Sequence, residues 1–142
     1  MASKLGLNLI KKEITSEGEV KSALKNIIES ADSLWIIPDS TVITRDSLSI
    51  ILKTTLSHKM PTFCTSSAIV RAGALASISP DYAHTGLEAS KMAQTLLNSP
   101  TVISLGIKHP EKFKLSLNVQ TANIIGIDIS AFQSRPDVFL YP

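Results

Sequence analysis

The sequence predicts an α/β domain with a mainly parallel sheet and helices on both faces. Two observations carry this reading. Short apolar runs ended by proline or polar residues alternate with amphipathic helical stripes about five times, and the links between them are short. Each stripe also has its own start or stop signal.

Residues 5–10, Leu-Gly-Leu-Asn-Leu-Ile, alternate briefly before Lys11-Lys12 and read as a first strand. Ser16 and Glu19 have the spacing of a capping box, with hydroxyl and carboxylate each reaching an orphan amide. From there Val20, Ala23, Leu24, Ile27 and Ile28 form one helical stripe to about Ser30. Leu34-Trp35-Ile36-Ile37, stopped by Pro38, reads as a strand buried on both faces, with Trp35 in the core. Leu48, Ile51, Leu52, Thr55 and Leu56 mark a helix ending near His58-Lys59, cations suited to a helix C-terminus.

Pro61 to Cys64 reads as the next strand, with Cys64 a small core residue. Thr65-Ser66-Ser67 then caps a short helix ending at Gly73. Ala74 to Ile78 is a fourth apolar segment. Asp81 can cap a helix to about Asn98, whose Gly86, Ala89, Ser90 and Ala93 form a small-residue face for close packing. The stretch 100–110 is a connection with a short strand at 101–104. Lys112 to Asn118 alternates as a strand with one wet face, near a sheet edge. Asn118 caps a short helix closed by Gly126, and Ile127 and Ile129 indicate a last extended piece. The tail 135–142 carries Val138, Phe139, Leu140 and Tyr141 and can lie on the lobe or form a dimer contact.

Composition narrows the function classes. The 142 residues carry 14 Lys+Arg against 12 Asp+Glu, with the basic residues scattered, so no nucleic-acid partner is expected. One cysteine and three histidines without HxH or HExxH spacing supply no metal centre, and no cofactor is expected. No G-x-S-x-G, G-x-G-x-x-G or phosphate-cradling P-loop occurs, so the chain is read as a non-enzyme. There is no secretory signal pattern at Met1–Leu7 and no long apolar run. A signalling receiver domain has similar length, but the first strand here leads into Lys11-Lys12-Glu13 and lacks an acidic pair.

In parallel α/β sheets ligands sit beyond the carboxyl ends of the strands. Three polar loops fall there: Asp39-Ser40-Thr41, Thr65-Ser66-Ser67 and Ser79-Pro80-Asp81-Tyr82. They supply carboxylates, hydroxyls, a phenol and helix N-terminal amides, an inventory for a small polar ligand. Asp39 can equally cap the following helix or solvate a turn, Asp81 suits a helix cap better than a ligand contact, and Tyr82 can pack or bind.

Taken in order, Leu34 to Val42, Met60 to Cys64, Val70 to Ala76, Ser79 to Tyr82, Gly86, Lys91 to Ala93, Leu115 to Asn118, Thr121-Ala122 and Ile125 to Ile127 resemble the second half of ABC transporter substrate-binding proteins linked to amino acids, including tryptophan. The resemblance implies the C-terminal lobe of a type I periplasmic binding protein, in which two α/β lobes close on a solute. By position, Asp39, Ser40, Thr41, Thr65, Ser66, Asp81 and Tyr82 would face that cleft. Family members often carry Gly and acidic residues where this chain has Cys64-Thr65-Ser66-Ser67, which weakens recognition of a ligand amine.

The resemblance further implies an amino-acid-like solute, an ABC permease partner and an extracytoplasmic location. It aligns Ala2 to Leu7 with the end of the lobe's first helix, closed by Gly6, so the lobe's first strand and the other lobe are missing. The chain is therefore expected to be a fragment, a remnant gene product, or a homodimer that completes its sheet by pairing. A cytoplasmic sensory or oligomerising module built on the same lobe is the alternative reading.

Overall fold

The computed structural model describes residues 2–99, 101 and 103–142. Its regular elements are α1 (Val20–Ile28), β1 (Leu34–Trp35), α2 (Arg45–Ser57), β2 (Thr62–Cys64), α3 (Ser67–Arg71), β3 (Ala76–Pro80), α4 (Tyr82–Asn98), β4 (Phe113–Asn118), α5 (Val119–Ile125), α6 (Ser130–Gln133) and β5 (Val138–Tyr141). The strands form one sheet in the order β1-β2-β3-β4-β5. β1, β2 and β3 run parallel, β4 is antiparallel to β3, and β5 is parallel to β4. Three of the four pairings are thus parallel, as the alternating sequence pattern predicts.

Two apolar clusters lie on opposite faces. Val20, Leu24, Ile51, Leu52, Ile69 and Val70 bring α1, α2 and α3 against Ile36 and Cys64. On the other face Leu115, Leu117 and Val138 meet Ala122 of α5 and Phe132 of α6. Asn118 ties the two sides together: its Nδ2 donates to the Val70 carbonyl at 2.9 Å, and its Oδ1 accepts from the Thr121 amide at 2.7 Å, capping α5.

Several sequence expectations change here. Residues 7–14 form no strand, and Leu7 and Leu9 are exposed. The alternation at 5–10 is too short to hold a strand without a neighbour to pair with. A 3-10 turn instead spans Ala2–Leu5 and is closed by Gly6 at φ 70°, with the Leu7 amide donating to the Ala2 carbonyl at 3.1 Å. The capping box shifts by one residue: Glu19 Oε2 accepts from the Thr15 amide at 2.8 Å, whereas the Ser16 side chain makes no cap bond.

Trp35 is not in the core. β1 is an outer strand; Ile36, just after it, is buried, while Trp35 and Ile37 are each 61% exposed on the opposite, uncovered face. The four-residue apolar run therefore belongs to a strand buried on one face only. β4 is internal rather than at an edge, because the tail supplies β5 as its outer neighbour. Ile127 and Ile129 lie in a loop before α6 and form no strand. The strand expected at 101–104 falls partly outside the described residues, and 103–112 form none. α4 matches its expected span, but its small-residue face stays in solvent and the helix buries no residue.

Candidate ligand-binding edge of the sheet

Because β1, β2 and β3 are adjacent and parallel, the loops that follow them leave from one edge of the sheet. The topology thus assembles all seven sequence-predicted residues at that edge. Since β4 and β5 run the opposite way, their first residues reach the same edge, which adds Lys112, Lys114, Arg135 and Asp137. Sequence reasoning missed these four. Their signal was weak: alternation placed the lysines on a wet face, and only the Pro80–Phe113 register puts them beside Asp81.

The three carboxylates at this edge are in different states. Asp81 caps α4, accepting from the Ala83 and His84 amides at 3.1 and 3.2 Å, and Lys114 Nζ stands 3.4 Å away. The His84 amide bond and the lysine hold its pKa below the ordinary carboxylate value. Asp137 is paired with Arg135, whose Nε donates at 3.0 Å. That bond lowers the Asp137 pKa.

Asp39 is different. Its Oδ1 accepts from the Thr41 amide at 2.7 Å, and this bond lowers its pKa. Among the described residues it has no cationic partner and Oδ2 accepts no hydrogen bond. It does not cap α2; Thr44 does, accepting from the Ser47 amide at 3.1 Å. Glu17 reaches the Thr44 and Ser47 hydroxyls from the chain before α1, bracing this loop from behind.

The hydroxyls divide similarly. Ser66 caps α3, accepting from the Ala68 amide at 3.3 Å, so its oxygen is partly committed. Ser40 is exposed, and Thr41 and Thr65 are half-buried. Tyr82 is 73% exposed, which decides between packing and solvent in favour of solvent.

A shallow depression of about 280 Å³ lies at this edge, lined by Asp81, Lys112, Phe113, Lys114, Asp137 and Phe139 among others. Of the seven predicted residues it takes in only Asp81. A second concavity, about 510 Å³, lies between α1 and α2 and touches none of the seven. Among the described residues no group of three His, Cys, Asp or Glu side chains could hold a metal. Among the described residues no helix is long and apolar enough to cross a membrane.

Comparison with known proteins gives this edge its context. A tyrosine-binding protein from Clostridioides difficile is 24% identical over 120 residues, covering 84% of this chain and 34% of that relative. Among solved structures, the ligand-free, open form of a substrate-binding protein with adhesive properties from Clostridium difficile superposes with TM-score 0.78 at 24% identity, over 99% of this chain and 46% of that one. A conserved domain protein from Vibrio cholerae gives TM-score 0.74 at 25% identity, over 97% and 46%. A domain from Streptococcus pneumonia in complex with L-Trp gives 0.72 at 23%, over 97% and 47%. The chain thus spans about a third of the curated relative and just under half of the solved ones. The family model for ABC transporter substrate binding protein matches residues 1–133, and the chain belongs to that family.

Proposed function

We propose that this chain is one α/β lobe of a solute-binding component of an ABC transporter, acting by binding and without catalysis. The observation that carries the reading is Asp39, an exposed carboxylate at the carboxyl edge of β1–β3 with no cationic partner among the described residues. An α-ammonium group is the counter-charge such an oxygen accepts. Ser40, Thr41, Thr65 and the Ser66 hydroxyl offer neutral hydrogen bonds around it, and Tyr82 offers a ring face. Asp81 takes the structural part, orienting α4 and holding Lys114, which is placed to meet a carboxylate. An amino-acid-like solute carries both charges, and the relatives named for tyrosine and bound to L-Trp support that class.

An edge of this kind covers one side of a small molecule. The lobe therefore works with a second surface that closes over the solute, and delivers it to a membrane permease from an extracytoplasmic position. L-tyrosine and L-tryptophan titrated into isotopically labelled chain should shift the amides of 39–41, 65–66 and 81–82. Asp39→Asn should abolish those shifts without altering the rest of the spectrum. Shifts confined to other residues, or none at millimolar amino acid, would sink the proposal.

A further inference from the structure

The turn that carries Asp39 is fastened at both ends. On the strand side the Ile36 amide donates to the Phe63 carbonyl at 2.8 Å, which fixes the chain to the sheet. On the helix side Thr44 opens α2, and the fastening comes from Glu17, 27 residues earlier in the chain. Between these ends the Asp39 carbonyl accepts from the Val42 and Ile43 amides at 3.2 and 2.8 Å, and Asp39 Oδ1 accepts from the Thr41 amide. The turn is closed on itself, so its placement depends on where its ends are held.

A hydroxyl that caps a helix must turn a lone pair to the helix amide and send its own proton elsewhere. Thr44 Oγ1 accepts from the Ser47 amide at 3.1 Å and donates to Glu17 Oε1, and the Ser47 hydroxyl donates to the same oxygen at 3.1 Å. One carboxylate oxygen thus aligns the cap and ties it to Ser47, which is fully buried. Glu17 is itself held by the 3-10 turn Glu17–Glu19, which runs directly into α1, and α1 packs on α2 through Val20, Leu24, Ile51 and Leu52. Among the described residues neither Glu17 nor Asp39 is in an ion pair, so no cation competes for either carboxylate.

We propose that Glu17 is a positioning residue for solute binding: by holding Thr44 and Ser47 it fixes the helix end of the turn and, through the turn, the Asp39 carboxylate. This role rests on the reading of Asp39 as the acceptor of a solute ammonium group. Apparent affinity falls with the fraction of molecules that hold the binding geometry, so a turn correctly placed roughly a fifth of the time binds about fivefold more weakly.

NMR titration of Asp39 in the free, labelled full chain separates this role from a general loss of stability. The Thr41 amide bond holds the Asp39 pKa below its ordinary value. Glu17→Ala should loosen that bond, raise the Asp39 pKa and shift the 41–43 amides, with the amides of β4 unchanged. Removing a negative charge has by itself the opposite sign, since it lowers the pKa of any carboxylate near it. Glu17→Gln keeps an acceptor oxygen and should give no rise. Titrated with L-tyrosine or L-tryptophan, Glu17→Ala should bind about fivefold or more weakly than wild type, and Glu17→Gln should recover most of that loss. If Glu17→Ala does not fold, Ser47→Ala removes one of the two hydroxyl donors and should move the same signals in the same direction. With wild-type binding intact, an Asp39 pKa that does not rise, an affinity that does not fall, or an equal loss in Glu17→Gln overturns the role of Glu17 alone. A wild-type chain that binds neither amino acid sinks the reading of Asp39, and the solute role of Glu17 with it.

Discussion

At the level of single residues, two positions show how local chemistry sets local structure. Lys59 follows α2 at φ 53°, with its amide donating to the Leu56 carbonyl and the Met60 amide to the Thr55 carbonyl. This is the helix-closing arrangement in which glycine is usual, since a Cβ crowds the left-handed conformation. Lys59→Gly should raise stability by about 1 kcal/mol, measured by urea denaturation. Ser77 is buried between Cys64 and Ser116 in the sheet, and its hydroxyl has no partner. Ser77→Ala removes an unsatisfied polar atom and should leave stability unchanged or raise it by up to about 1 kcal/mol. Asp81 supplies a pH dependence. Its folded pKa lies below the ordinary 3.8, so its contribution is fully present above that value and is lost as pH falls through the folded one. Asp81→Asn should flatten the acid limb of a melting-temperature profile below about pH 4. The caps at Asp81 and Asn118 were legible as residue types at the start of apolar stripes, whereas Thr15 in place of Ser16 was not, because the group that Glu19 binds is a backbone amide, which every position nearby offers.

Between elements, the decisive contacts join segments far apart in the chain. Asn118 bonds to Val70 across 48 residues and also caps α5, so one buried side chain joins the end of α3 to the start of α5. Asn118→Ala leaves the Val70 carbonyl and the Thr121 amide without these partners and should cost about 2–3 kcal/mol, read from the denaturation midpoint. The helices α1, α2, α4 and α5 were readable because amphipathic period and capping residues both lie within one turn or two. Strand placement was not. The alternation of Lys112 to Asn118 looks like an edge strand, and only the return of the tail as β5 makes it internal. Likewise the apolar run at 34–37 cannot state how many of its faces will be covered.

For the whole molecule, the balance of covered and bare surface sets the behaviour. Trp35 is the chain's one tryptophan and lies on the uncovered face, which makes its fluorescence a reporter of that surface. Its emission should be that of a water-exposed indole. An emission maximum that is short at every dilution would place Trp35 in the chain's own core, against the structure. The candidate edge is also a property of the whole sheet, since residues from 39 to 137 meet there only through strand order and direction.

The amino-acid sequence by itself determined the α/β class, the spans of the long helices and their caps, and the three polar loops that follow the parallel strands. These depend on short-range periodicity, on side-chain bonds to nearby amides, and on the rule that parallel strands share a carboxyl edge. Only the tertiary structure decided that 7–14 is not a strand, that Trp35 faces solvent, that β5 encloses β4, and that Lys114 and Arg135 join the edge and occupy two of its three carboxylates. Pairing, face coverage and charge neutralisation are contacts between distant segments, and no local pattern encodes which segment arrives.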